Sequence, residues 1–238
     1  MIVWLASLAW AQEGCEKVGL SDVTDIEAPA ILVLGERHGT QPDLSRARKI
    51  IRSLRAEAHV TVALEAVHEK FSPVLKDFSE SRIATEALET ELDWTNSWGF
   101  PYQPYESILT AAVYGDTIVA AGPNPGPPPK DAAFPVPSGY FSVLSTAMAG
   151  HEVPPEMQKD FVRSVAWRDW KIADNALAGW DQTGYLVVLA SRVLVEGGKG
   201  IGWQLQQRTQ VPVRSVVLAW ANSPCFAGDW VWAPTIAG

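Results

Sequence analysis

Two glutamates and a histidine follow two apolar runs of the sequence, and these side chains could do acid–base or metal chemistry together. Glu36 and His38 come after the run Ile31–Gly35, and Glu65 follows the run Val60–Leu64. Two carboxylates held close in a partly desolvated crevice raise the pKa of one of them, which gives an acid–base pair with an imidazole. The same three side chains could instead hold a divalent metal, with water at an open position.

The elements that must position these residues form a βαβ unit. Both runs are continuous and apolar, as is typical of buried parallel strands, and the stretch between them repeats apolar residues at helical spacing. The apolar residues of this helix form one stripe that can pack on the sheet: Leu44, Ala47, Ile50, Ile51, Leu54 and Ala58. The basic residues are expected to face water: Arg46, Arg48, Lys49, Arg52 and Arg55. If the two strands lie side by side, Glu36, His38 and Glu65 leave the sheet at its carboxyl edge, where open α/β sheets bind ligands.

Three further apolar runs predict the rest of the sheet: Thr117–Gly122, Tyr185–Ala190 and Val213–Trp220. Together with the intervening helical patterns they predict an α/β fold. We expect a mostly parallel central sheet of about five strands. Helices flank this sheet, and a helical subdomain lies over its carboxyl edge.

The length of 238 residues, 47% of them hydrophobic, is enough to bury a full core. We expect one domain over residues 12–238, with helical insertions around 69–114 and 135–182. The net charge of -8 argues against nucleic acid as a partner, because phosphate binding needs clustered positive charge.

Two more residues could join the site. His68 lies three residues past Glu65. Asp169 falls on the apolar stripe of a long helix that opens at Pro154 and runs to about Trp180, so its carboxylate points inward. A buried carboxylate must be paired, hydrogen-bonded or neutral, and either a structural tie or a pocket role would satisfy that requirement.

The amino terminus predicts export. Residues 1–11 form a short apolar run that ends in an Ala-x-Ala pattern, which is typical of a signal peptide cleaved before Gln12, although no Lys or Arg precedes the run. That run is too short to span a bilayer, and no other segment of the sequence could do so.

The chain has two cysteines, Cys15 and Cys225. In an exported protein such a pair is expected to form a disulfide. Two alternatives remain. Cys15 could be lipidated, although Gln12 to Gly14 do not suit a lipoprotein site, or one cysteine could be catalytic, although no histidine lies beside either of them in the sequence.

Five segments in a fixed order resemble the ChaN-like haem-binding uptake family, which belongs to the superfamily of Tiki, TraB and erythromycin-esterase-like proteins. They are GERH after the first strand, ALE after the second, LDWTNSWGFPYQPYESILTAA before the third, the apolar strand Ile118–Gly122, and RDWKIADNAL before VVLA. The resemblance covers roughly residues 30 to 205.

The resemblance implies a role for each matching position. Glu36 and His38 correspond to the polar pair after the first strand, and Glu65 to the acid after the second. Tyr105 matches the tyrosine before the helix that leads into the third strand, and Asp169 matches the aspartate of the RD segment. ChaN-like members are associated with haem binding and iron uptake, whereas the Tiki and esterase branches are hydrolases.

One position departs from the family pattern. The family has a Gly-His pair just after the fourth strand, where this sequence reads Ala190-Ser191-Arg192. Loss of one imidazole would weaken metal binding and could abolish hydrolytic chemistry. Arg192 could instead face an anionic group such as a haem propionate.

Two functions follow from these observations. The first is an exported protein, periplasmic or associated with the cell envelope, that binds haem or a similar planar, iron-containing small molecule in a cleft at the carboxyl edge. The second is a hydrolase, metal-dependent or using Glu/His acid–base chemistry, which is degenerate if the missing histidine was essential. Whether the chain is an enzyme stays open at this point, as does a homodimer. Haem and a divalent metal are the two candidate cofactors.

Overall fold

The computed structural model describes residues 15–110, 116–148, 151–220, 226 and 229–233. The predicted signal peptide and Cys225 lie outside these residues, so the cleavage and the disulfide stay predictions. Within the described ranges, no helix has the length and apolar character needed to cross a membrane.

Strands and helices alternate along most of the described chain. The strands are β1 (Glu16–Lys17), β2 (Ala30–Glu36), β3 (Val60–His68), β4 (Thr117–Gly122), β5 (Tyr185–Ser191), β6 (Val213–Leu218) and β7 (Trp230–Trp232). The helices are α1 (Leu20–Thr24), α2 (Gln41–Arg55), α3 (Ser72–Ser79), α4 (Leu88–Glu91), α5 (Trp94–Ser97), α6 (Gln103–Leu109), α7 (Tyr140–Ala147), α8 (Gln158–Ala178) and α9 (Ile201–Gln206).

The strands form one parallel sheet in the order β1-β7-β6-β2-β5-β3-β4. The predicted α/β class is therefore confirmed, and all five predicted strands are present. The described sheet has seven strands instead of about five, because β1 and β7 pair at one edge. These two strands have two and three residues, which is too short for an alternating pattern to show in the sequence.

The expectation that β2 and β3 lie side by side is wrong. β5 lies between them, with Val33 opposite Val188 and Ala63 opposite the same residue. All three strands are continuous apolar runs, so any of them can pair with any other. The strand order therefore depends on long-range packing that no local pattern encodes.

The sheet separates two hydrophobic cores, and its pleat places the two glutamates on opposite faces. Leu34 and Leu64 belong to the core on the α2 and α6 side, whereas Val33 and Ala63 belong to the core on the α8 side. Side chains alternate between faces along a strand, so Glu36 follows Leu34 onto the first face. Glu65 follows Ala63 onto the second.

Two helices carry charged groups into the interior. Asp169 on α8 is fully buried, as the apolar stripe of that helix predicted. The expectation that Arg46 faces water is wrong, because its side chain is only 8% exposed and donates a hydrogen bond to Asp43 on the same helix. Arg55 pairs with Asp116 rather than standing free in solvent.

Candidate functional site

Glu36 and His38 are held together at the carboxyl end of β2. His38 lies two residues beyond the buried carboxylate, and its Nδ1 is 2.6 Å from Glu36 Oε1. The phenol of Tyr105, brought in by α6, donates to the same oxygen at 2.5 Å and lies 3.2 Å from His38 Nδ1. When the proton is on Nδ1, the imidazole also donates to Glu36, and this leaves Nε2 with a lone pair.

An aromatic surface supports the imidazole. Phe100 stacks on His38 with ring centroids 4.8 Å apart and planes 14° apart, and Trp98 lies at 5.8 Å. Gly39 allows this approach, because its φ is +68° and a Cβ there would lie 2.9 Å from Phe100 Cβ. The His38 side chain nevertheless stays 26% exposed, so a ligand can reach it.

The electrostatic environment raises the pKa of His38. Burial alone lowers this pKa, but the hydrogen bond to Glu36 and the negative charges of Glu65 and Glu36 outweigh burial, while Arg168 acts weakly in the other direction. The imidazole is therefore protonated over a wider pH range than a free histidine.

Glu65 reaches the same edge from the other face of the sheet. Nε and Nη2 of Arg168, on α8, both donate to Glu65 Oε1, at 2.8 and 2.6 Å. The backbone N–H of Ser191 donates to Oε2 at 2.5 Å, and His38 Nε2 lies 4.0 Å from that oxygen. The imidazole therefore stands between two buried carboxylates, one from each face.

The structure thus brings together Glu36, His38, Glu65 and Tyr105 of the predicted site residues. The other two lie near this cluster and pair with other residues. Asp169 Oδ2 accepts a hydrogen bond of 2.5 Å from Tyr140, and Arg192 forms an ion pair with Glu196. Burial raises the pKa of Asp169 well above the value of a free carboxyl.

Sequence reasoning missed Arg168, which fixes Glu65. The two residues are 103 positions apart, and only the packing of α8 against the end of β3 brings them together. The RD segment did contain a signal, because Arg168 precedes Asp169 in it. An arginine next to an inward-facing position can reach a carboxylate at the edge of the sheet.

His68 lies close to the cluster without contacting Glu36. Its ring is 5.0 Å from Trp98 and 6.5 Å from Phe71, and its Nδ1 is buried without a hydrogen-bond partner. Burial, Lys70 and Arg168 lower the pKa of His68, and Glu65 acts in the opposite direction, so this imidazole loses its proton at a lower pH than a free histidine.

The described residues contain no group of three or more His, Cys, Asp and Glu side chains arranged to hold a metal ion. Arg168 donates two hydrogen bonds to Glu65, so the geometry does not favour a metal ion held by Glu36, His38 and Glu65 together. Metal binding by these three residues stays a prediction from the sequence. Cavities of about 440 Å³ are lined by other residues, such as Glu69 and Asn175 in one and Val136 and Phe141 in another. The ligand cleft at His38 is therefore a proposal.

The fold and site define a class: an α/β protein with a polar, aromatic-lined site at the carboxyl edge of a parallel sheet. Residues 23–126 match the family described as "Haem-binding uptake, Tiki superfamily, ChaN". This match agrees with the resemblance seen in the sequence and covers less than half of the chain.

Solved structures share this fold. ChaN of Campylobacter jejuni, in a structure described as "Cofacial heme binding", is 17% identical, with 89% of each chain covered and a TM-score of 0.63. RRSP, a MARTX toxin effector domain from Vibrio vulnificus, is 16% identical with a TM-score of 0.50, and the match covers 83% of this chain and 35% of that one. At these identities the likeness concerns the fold alone. No curated protein matches the sequence.

Proposed function

We propose that this ChaN-like protein binds haem, or a similar planar iron-containing ligand, at the carboxyl edge of the sheet, with His38 Nε2 as the iron ligand. One observation carries the proposal: the imidazole is fixed through Nδ1 by a buried carboxylate, while its ring stays partly exposed at the edge. The family match supports the choice of ligand.

The donor set at His38 fits an iron-bound group. Histidines that bind metals usually donate the other ring N–H to a carboxylate, which fixes the tautomer and makes the free nitrogen more basic. Glu36 is that carboxylate here, and Tyr105 supports it from behind. The phenol of Tyr105 is fully buried, and burial and Glu36 raise its pKa, so it positions Glu36 rather than binding iron.

The surface around His38 suits a planar apolar ring. Trp98 and Phe100 are both half-buried and lie against the imidazole of His38. A bound porphyrin would cover these rings and gain free energy from the apolar area removed from water. Asp169 belongs to the proposed binding site through the family resemblance alone. Arg192 belongs to it as the residue that stands where the family has a Gly-His pair and that could face an anionic group.

Haemin titration tests the proposal. Addition of haemin to the purified protein should shift the Soret band with micromolar affinity, and H38A should weaken binding at least about tenfold. His59→Ala is the matched control, because His59 is exposed and precedes β3 at the opposite edge of the sheet. Absence of a Soret shift in the wild-type protein would reject haem as the ligand.

A hydrolase is the second candidate, and the raised pKa of His38 favours it specifically. A Glu–His pair in which the carboxylate orients the imidazole and helps to raise its pKa is suited to general acid–base catalysis. Ester and peptide substrates assayed with wild-type protein and E36Q would show it. Turnover that depends on Glu36, in protein that leaves haemin unbound, would support this function over the first.

We also propose that the protein is exported, to the periplasm or the cell envelope. The support is the apolar run of residues 1–11 with its Ala-x-Ala ending. Cell fractionation of the full chain and of a variant lacking residues 2–11 tests export. Mass measurement with and without reductant then tests the predicted disulfide between Cys15 and Cys225 in the exported protein.

A further inference from the structure

A buried cluster of two arginines and one aspartate lies at the same edge of the sheet as His38. The carboxylate of Asp43, fully buried in the first turn of α2, accepts hydrogen bonds from Arg37 Nη2 at 2.7 Å and Arg37 Nε at 2.8 Å. Arg46 Nη2 donates to Asp43 Oδ1 at 2.6 Å and to the carbonyl oxygen of Ala219 at 3.0 Å. The cluster therefore joins the end of β2 to the segment after β6.

The cluster carries more positive than negative charge. Within the described part of the chain, Asp43 is the one carboxylate within 4.0 Å of either guanidinium, so two positive charges face one negative charge. Burial lowers the pKa of Arg46, Asp43 opposes this, and the neighbouring charge of Arg37 adds to the lowering. An excess positive charge away from water needs a counter-charge.

Two donors of the cluster have no acceptor among the residues that the structure describes. Nη1 of Arg37 and Nε of Arg46 are both buried and lack a hydrogen-bond partner there. Buried N–H groups of charged side chains are costly to leave unpaired, and native proteins rarely do so without water, an ion or a ligand at the site.

An exposed tryptophan covers the cluster on its solvent side. The ring of Trp220 lies 3.9 Å from Arg37 Cζ and is 61% exposed. A molecule bound at the guanidinium of Arg37 would contact this exposed ring. Arg37 is also the residue immediately before His38, so this surface borders the proposed ligand site.

We propose that Arg37 and Arg46 form an oxyanion subsite, which takes a carboxylate or phosphate group while Trp220 packs against the molecule that carries it. The fork of a guanidinium matches both groups in two parallel hydrogen bonds. The subsite stands on the cluster itself. Only the assignment of its occupant to the bound porphyrin rests on the proposed function.

Thermal unfolding in phosphate tests the subsite without haem. Each protein is compared with itself in sodium phosphate and in chloride of equal ionic strength, so any change in intrinsic stability cancels. Phosphate should raise the Tm of the wild-type protein and of R52Q, an exposed arginine on α2, but not of R37Q. R37K keeps the charge without the fork and should give a smaller rise. Equal rises in all four proteins, or no rise in any, would overturn the subsite and indicate that water only satisfies the two donors.

Haemin and its dimethyl ester then identify the source of the oxyanion. Binding of the ester about tenfold weaker than haemin in the wild-type protein and R52Q, with no difference in R37Q, assigns the subsite to a carboxylate of the bound ligand. Equal binding of both compounds, together with the phosphate-dependent rise in Tm, assigns it to a free oxyanion. Failure of every variant to bind haemin rejects the proposed function, and the phosphate result still decides the subsite.

Discussion

Tyr105→Phe tests the support behind His38 with the loss of a single oxygen atom. The phenol is fully buried and donates to Glu36 Oε1 at 2.5 Å. The other oxygen of that carboxylate, Oε2, is buried and has no hydrogen-bond partner within the part of the chain that the structure describes. The contacts of the aromatic ring with Trp94 at 5.0 Å and Phe100 at 5.5 Å survive the change. The variant therefore removes a hydrogen bond to a charged group and leaves the packing in place.

The expected loss of stability follows from that hydrogen bond. A hydrogen bond to a charged group contributes about 1.5–3 kcal/mol, and no discount for solvent applies to a buried pair. In a chain of this size each kcal/mol changes the Tm by about 2–4 °C, so Y105F should unfold roughly 3–12 °C below the wild-type protein.

Tyr102→Phe is the matched control, because Tyr102 is also buried but its hydroxyl has no hydrogen-bond partner among the described residues. Removal of that hydroxyl should leave the stability unchanged or increase it slightly. Urea and thermal unfolding of both variants measure the difference. Equal stability of Y105F and Y102F would show that the phenol of Tyr105 does not hold Glu36.

Three further predictions concern charges around the site. Haemin affinity should rise with pH above 6.5 as His38 loses its proton, because the proton and the iron compete for the same imidazole. Soret titrations from about pH 6 to about pH 9 measure this dependence. An affinity that does not change with pH would refute it. R168M leaves Glu65 buried without its partner guanidinium and should lower the free energy of unfolding in urea by about 1–3 kcal/mol. This loss is smaller than for a fully buried pair, because the Arg168 side chain is 33% exposed. An unchanged urea midpoint would contradict the role of this ion pair. The pKa of Asp169 is raised in the folded protein, so this carboxyl contributes stability at pH values below its ordinary pKa of 3.8, and that contribution is lost as the pH rises through its folded pKa. The amide oxygen of D169N can still accept the hydrogen bond from Tyr140. This variant should therefore be at least as stable as the wild-type protein at about pH 7 and should show a flatter pH dependence of unfolding.

Local patterns predicted the parts of the fold that depend on local physics. The apolar runs of β2 and β3 and the stripe of α2 identify these elements, because continuous burial and helical spacing appear directly in the sequence. The inward position of Asp169 was predictable for the same reason. β1 and β7 were not, since two and three residues carry no periodicity.

The arrangement of the site depended on contacts between distant segments. The sequence patterns predicted that Glu36, His38 and Glu65 lie at one edge of the sheet. That prediction took β2 and β3 as neighbouring strands, whereas β5 lies between them. Glu36 and Glu65 approach from opposite faces, so the imidazole between them, rather than strand adjacency, connects them. The pairing of Arg168 with Glu65 had no local pattern to reveal it.

Chemical rescue at position 38 tests most directly whether His38 binds the ligand. In H38G the imidazole is gone but the Glu36 carboxylate that held it remains, so free imidazole added to the solution can occupy the same place. We expect H38G to lack the Soret band of the wild-type haemin complex and millimolar imidazole to restore it. A haemin complex of H38G with the wild-type spectrum and affinity, formed without imidazole, would contradict the claim that His38 binds the ligand.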